Sequence, residues 1–245
     1  MKAQLLSDVH TCFYHDPIRL LASLEFASGL DFLLLPGDIV VPAVQGLEKT
    51  KEVLGFLSKK ARHVLFVEGN HEFYRNTFIG TRSSILKSLP SNFHHLRNTD
   101  ETIEGQHFFG GTMWFPDAPH NRMYEDQLSD FLVIQGFRGW VYRENQAFRD
   151  MARRLVTSRT IVLSHHVPSY QAVHPMFQGD SLNRFFVSEM ADIILDRNPP
   201  LWVYGHTHLP HDCMVGGTRL VANPFGYPSE RSDPSSYAPV ILETP

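Results

Sequence analysis

Cysteine is nearly missing from this chain: Cys12 and Cys213 are the only two in 245 residues. Two sulfurs so far apart build no disulfide framework and no iron–sulfur cluster, and their scarcity fits a reducing compartment. Long hydrophobic runs are missing too. No stretch approaches the roughly 18 apolar residues a membrane span needs, and the apolar part of MKAQLLSDVH is too short for a signal peptide. The expectation is a soluble, cytoplasmic protein with no membrane partner. Positive charge is also in deficit, with 22 Lys plus Arg against 26 Asp plus Glu and a net charge of −4. No broad field is available to follow a nucleic-acid backbone, so DNA and RNA are not expected partners and a nuclease is a poor reading. What the chain has in excess is histidine, 14 in all.

The length suits one large α/β unit with a sizeable core, so a single domain over 1–245 is expected. Residues 2–6 read as a strand. Asp16 followed by Pro17 opens a helix that Gly29 can close. Residues 32–35 form an apolar run of strand length, 44–60 carry helical spacing through Val44, Leu47, Leu54 and Leu57, and 63–67 are strand again. This β-α-β-α-β order predicts a parallel sheet covered by helices. A hairpin about Gly105-Gln106 and another about Gly216-Gly217 mix antiparallel strands into it. Further helices are expected over 140–156 and 185–195, and further strands over 161–163 and 201–204.

The polar residues fall where chemistry would need them. Five of these strands end in clusters of metal-ligand type: LLSDVH with Asp8 and His10, LLLPGD with Asp38, LFVEGNH with Asn70 and His71, IVLSHH with His165 and His166, and WVYGHTH with His206 and His208. In α/β sheets ligands bind outside the carboxyl ends of the strands, so five such ends can converge on one place. In extended chain, residues i and i+2 point to one side, so Asp8 with His10 and His206 with His208 can each turn two side chains to a common centre. His165 directly follows its strand and is the expected ligand; His166 is expected to pack against or bond to a neighbour.

Imidazole, carboxylate and amide oxygen suit Mn, Fe, Zn or Co. Asp8, His10, Asp38, Asn70, His165, His206 and His208 are seven side chains, too many for one tetrahedral zinc and right for two divalent ions if one carboxylate bridges. A lone Asp-x-His or His-x-His is a weak signal, and Gly37-Asp38 alone is a turn signal. Together they would crowd four histidines and two carboxylates without a partner charge unless metal is bound. Cys12 and Cys213 read as unreactive thiols, and His211 as a residue of a solvent-facing loop.

The ordered blocks Asp8-Val9-His10, Gly37-Asp38, Gly69-Asn70-His71-Glu72, His165 and Gly205-His206-Thr207-His208 resemble the signature of the calcineurin-like metallophosphoesterases. FGGTMWF at 109–115 and NPFGYPSE at 223–230 are similar to a bacterial branch of that family made up mostly of uncharacterised phosphoesterases. The resemblance implies an α/β fold in a four-layer sandwich, two mixed β-sheets flanked by helices. It implies Asp8, His10 and His208 on a first metal, Asn70, His165 and His206 on a second, and Asp38 bridging both. It also gives His71 the catalytic task of contacting the phosphoryl oxygens or protonating the leaving group.

The function so implied is hydrolysis of small phosphoesters, mono- or diesters, nucleotide-type ones included, by a metal-bridging hydroxide at a dinuclear centre, with manganese the expected metal for activity. Protein serine/threonine phosphatases of the superfamily follow Gly-Asp with a further acid and an Arg-Gly pair; here the text is GDIVVP and EGNHE, which disfavours a protein substrate. A non-catalytic scaffold of the same fold is the alternative, and the intact motifs speak against it. An amidohydrolase would open with His-x-His, whereas this chain closes with it. The aromatic segment around 112–142 reads either as a cap on the site or, with more weight, as core, and residues 223–228 as a rigid turn at the rim. The oligomeric state is left open.

Overall fold

The computed structural model describes residues 1–243. Its first sheet runs in the order β11-β1-β2-β3-β4, from β1 (Lys2–Leu5), β2 (Leu30–Pro36), β3 (Ala61–Val67), β4 (Phe93–His95) and β11 (Val240–Glu243). The second runs β5-β6-β7-β8-β10-β9, from β5 (Thr99–Ile103), β6 (Gln106–Gly111), β7 (Thr160–Ser164), β8 (Leu201–Tyr204), β9 (His211–Val215) and β10 (Thr218–Ala222). In the first sheet β1 to β4 are parallel and only β11 is antiparallel; in the second, β6, β7, β8 and β10 are parallel and the edges β5 and β9 antiparallel.

Three apolar layers explain why the sheets stack. Leu5, Phe32, Leu34 and Leu65 of one sheet meet Phe108, Ile161, Leu163 and Val203 of the other in a buried layer between them. On the outer face of the first sheet, Leu33, Leu35, Val64 and Phe66 pack under α1 (Pro17–Ser23) and α3 (Leu47–Ser58) through Leu20, Leu21, Leu54 and Leu57. On the outer face of the second, Val162, Trp202 and Leu220 meet Phe148 and Ala152 of α6 (Val141–Leu155) and Ile193 and Ile194 of α8 (Ala191–Arg197). Strands buried on both faces are continuous apolar runs, which is how LDFLLLP and TIVLS read. The fold is therefore a four-layer α/β sandwich of two mixed sheets with helices outside. Among the described residues no helix is long and apolar enough to cross a membrane.

Several local expectations change. The helix expected over 44–60 is two, α2 (Pro42–Gln45) and α3, because Gly46 takes φ 83° and breaks the run. Helix α1 ends at Ser23, and Gly29 forms the turn into β2 instead. The span 185–195 holds α7 (Asn183–Phe186) and α8, separated by an irregular stretch. His211 lies in β9, not in a loop. The helices α4 (Phe78–Leu86) and α5 (Asp130–Val133) and the strands β4 and β11 carry too little periodic pattern to be read in advance.

Candidate metal centre

The carboxyl ends of five parallel strands, β1, β2 and β3 of one sheet and β7 and β8 of the other, open on the same edge of the sandwich, and each delivers one of the sequence blocks there. The loops are zipped together by main-chain bonds: Asp8 N–H to Gly37 O at 3.1 Å, His10 N–H to Asp38 O at 2.9 Å and Gly205 N–H to His165 O at 3.0 Å. Gly37 and Gly69 let two of these loops touch; a Cβ on Gly37 would lie 2.6 Å from the nitrogen of Gly69, and one on Gly69 would collide with Asp38 Oδ1.

The side chains converge without the extended backbone that an i, i+2 pairing assumes. Strand β1 stops at Leu5, and Asp8, His10, Asp38, His206 and His208 all have left-handed φ, between 48° and 72°. Non-glycine residues hold such a conformation at a cost of roughly 1–3 kcal/mol each, which persists only where the surroundings impose it. For Asp8 and His10 the imposing contacts are those inter-loop bonds, and the His206 N–H is held by the Asp8 carboxylate at 3.0 Å.

Two groups of donor atoms result. His10 Nε2 lies 2.9 Å from His208 Nε2 and 3.8 Å from Asp38 Oδ2, and His208 Nε2 lies 3.6 Å from Asp8 Oδ1. His165 Nε2 lies 2.9 Å from Asn70 Oδ1, 3.1 Å from His206 Nδ1 and 3.5 Å from Asp38 Oδ2. Asp38 thus stands in both groups. Atoms that share one cation at bonds of about 2.1 Å stand about 3.0–3.4 Å apart in octahedral or tetrahedral geometry, so the spacing suits a pair of ions.

The chemistry of the donors suits them as well. His165 gives its Nδ1–H to Pro36 O at 2.8 Å, which leaves Nε2 a bare lone pair. Asn70 gives its amide N–H to Asp130 Oδ1 at 2.9 Å, which turns Oδ1 toward that lone pair. Two acceptors 2.9 Å apart repel unless a cation lies between them. Asp38 Oδ2, buried close by, has no hydrogen-bond partner. His208 is oriented by Glu230, whose Oε2 meets its Nδ1 at 2.7 Å. Burial pushes the carboxyl of Asp8 up to about 6 and that of Asp38 well above its usual value, and pushes His10, His165 and His206 well below theirs. A metal-free cage therefore favours neutral groups, and bound cations reverse that preference.

His71 stands beside the cage: its backbone N–H bonds to Asp38 Oδ1 at 2.9 Å, its Nε2 meets Tyr227 Oη at 2.9 Å, and burial, followed by the charge of His208, lowers its pKa to about 3. His166 is turned away, its Nδ1 3.1 Å from Thr112 O and its ring packed on Trp114 and His206. Cys12 and Cys213 are half-buried and their thiol pKa values are raised by burial, to about 12 for Cys12.

Four neighbours have roles that the motifs do not assign. Glu72, next to His71, is fully buried and accepts four backbone N–H bonds, from Gly69, Asp38, Ile39 and Val40 at 2.6–2.9 Å. Burial pushes its carboxyl up to about 7 against the pull of those donors. It clamps the β2 loop to the β3 loop. Glu72→Gln turns an NH₂ toward two of the four N–H groups and is expected to cost about 3 kcal/mol, or about 6–12 °C in Tm at this chain length. Calorimetry measures it, and an unmoved Tm would refute the clamp. The others are Asp130, Tyr227 and Glu230. The aromatic segment is mainly core, with Trp114, Phe115 and Phe137 buried in a cluster of their own, but its tip at Leu128, Ser129 and Asp130 lines the cavity above the donors. The turn after β10 adds Tyr227 and Glu230 to the same rim.

Comparison with known proteins gives one family and several folds of the same kind. The profile of the calcineurin-like phosphoesterases matches residues 1–210. An uncharacterized protein of Acanthamoeba polyphaga mimivirus is 22% identical, over 86% of this chain and 84% of that protein. The crystal structure of phosphopantetheinyl hydrolase from Mycobacterium tuberculosis is similar with a TM-score of 0.72 at 16% identity, covering 98% of this chain and 95% of that one. A dimetal phosphatase from Danio rerio is similar with a TM-score of 0.58 at 12% identity, covering 100% of this chain and 92% of that one.

Proposed function

This chain belongs to the calcineurin-like phosphoesterase family and is a phosphoester hydrolase, and from that premise we propose that it cleaves small phosphoesters at a pair of divalent cations, manganese being the metal that best supports turnover. Asp8, His10 and His208 would hold one ion, Asn70, His165 and His206 the other, and Asp38 both. The observation that carries this reading is the pair of acceptor atoms Asn70 Oδ1 and His165 Nε2, which face each other at 2.9 Å with Asp38 Oδ2 3.5 Å from the latter. When bound, such ions acidify a water to hydroxide near neutral pH and offset negative charge on the phosphoryl oxygens.

The chain's own residues supply the rest. Asp38 and Asp8 return two negative charges to a site that would otherwise carry four positive ones, so the pocket favours an anion although the protein is acidic overall. Burial keeps His71 neutral and raises the pKa of the Tyr227 phenol, so Tyr227 stays protonated and the His71–Tyr227 pair presents neutral hydrogen-bond donors beside the cage. That favours His71 as a donor to a phosphoryl oxygen over His71 as an acid. His71→Asn is expected to retain both metals and to lower kcat on the order of 10²-fold; elemental analysis and steady-state kinetics check it, and full turnover would remove the role.

The reading is tested by loading the protein with manganese and comparing a chromogenic monoester, a diester, a cyclic nucleotide and a phosphopantetheinyl diester, the last for the group named in the mycobacterial protein. Turnover of one or more is expected. Inactivity on every ester at full metal occupancy would favour the scaffold instead.

A further inference from the structure

The cavity over the candidate ligands, about 360 Å³, is lined by groups of two kinds. One end is the cage itself. Beyond it the lining is largely apolar, with Leu128, Val167, Val173, Phe177, Leu182 and Phe186. Carboxylates of Asp130, Asp180 and Glu230 also line it, together with neutral polar groups such as those of Tyr74, Ser129 and Asn183, which are already hydrogen-bonded within the protein, and no lysine or arginine is among the lining residues. Arg184, the one lysine or arginine of segment 173–186, is directed elsewhere: its guanidinium bonds to Pro119 O at 3.2 Å and lies 4.2 Å over the Tyr124 ring.

A phosphoester brings at least one negative charge, and the cage answers it. A second anionic group on the same molecule would meet hydrocarbon, carboxylates and neutral groups already bonded within the protein, with no cation to offset its desolvation. From this lining we propose that the substrate is a phosphoester of an uncharged, partly apolar alcohol with no second anionic group, which excludes nucleoside di- and triphosphates. The proposal rests on the hydrolase reading above. Hydrolysis breaks the P–O bond to that alcohol, water provides the new P–O bond, and a proton from the water ends on the alcohol. The apolar wall receives the alcohol's carbon skeleton, and the aromatic ring of Phe186, stacked 4.3 Å from His206, joins wall to cage.

The test compares phenyl phosphate with 4-carboxyphenyl phosphate on the manganese-loaded protein. The wild type is expected to prefer phenyl phosphate by about tenfold or more in kcat/KM, the scale of one like-charge clash. Leu182→Arg places a cation on the wall and should bring the ratio toward unity or invert it. Asp180→Asn, which keeps the oxygen that accepts the Leu182 N–H, should narrow the ratio if the larger change disturbs packing. Calorimetric binding of benzylphosphonate and its 4-carboxy derivative reads the same preference without turnover. Equal kcat/KM for the two esters in the wild type, or a ratio untouched by both variants, would overturn the proposal and leave the hydrolase standing. No turnover of any ester at full metal occupancy would overturn both.

Discussion

Asp38→Asn is expected to lower kcat/KM by on the order of 10³-fold or more, beyond the roughly 10–100-fold that a residue behind a metal ligand costs, and to halve the bound metal from two ions per chain to one. Among the described residues, Asp38 Oδ2 is the only carboxylate oxygen within reach of histidine nitrogens from both groups, 3.8 Å from His10 and 3.5 Å from His165. An amide keeps the size and the bond from the His71 N–H but removes the charge that two cations would share. The metal-free protein should respond in the opposite sense. Burial, with the charges of Glu72 and Asp8 behind it, lifts the Asp38 carboxyl well above its ordinary 3.8. A group that holds its proton more tightly folded than unfolded costs stability as pH rises past the unfolded value. Metal-free Asp38→Asn should therefore melt a few degrees above metal-free wild type at neutral pH, about 1–2 kcal/mol at this chain length, and the gap should close near pH 4. Unchanged activity would remove the bridging role, and a variant less stable than wild type without metal would remove the electrostatic account.

Stripping the ions with a chelator should abolish activity and lower Tm by about 10 °C for each site occupied at a thousandfold excess over Kd, since such occupancy is worth about 4 kcal/mol and each kcal/mol is about 2–4 °C in a protein of this size. The physical source is the cage itself: Asp8, His10, Asp38, His165 and His206 are buried to within 7% of full exclusion from water, and cations held there would relieve the crowding of their lone pairs and charges. Adding back manganese should restore both properties together. A chelated protein with unchanged Tm would mean that the side chains do not form a binding site.

Much of the candidate site was legible because the side chains that converge there lie in short blocks at strand ends. GDIVVP, EGNHE and GHTH name the residue types, and alternating strands and helices imply the edge on which they meet. The supporting residues were not legible in the same way. Glu72 sits inside EGNHE, yet its four N–H partners come from backbone, which leaves no trace in side-chain identity. Asp130 lies 60 positions from Asn70, in a stretch whose aromatics speak of packing. Glu230 falls within the quoted NPFGYPSE, but only the path of the chain after β10 brings it to His208.

The sequence alone determined which atoms could bind metal and that they follow buried strands, because ligand chemistry belongs to the side chain and hydrophobic periodicity to the local chain. The tertiary structure alone decided how those atoms aim. Extended geometry would have pointed Asp8 and His10 to one side by pleat; instead both turn through left-handed backbone, held there by hydrogen bonds to the neighbouring loop. Such a conformation is unfavourable locally and exists only when distant segments hold it. No stretch of the sequence, read by itself, contains that balance.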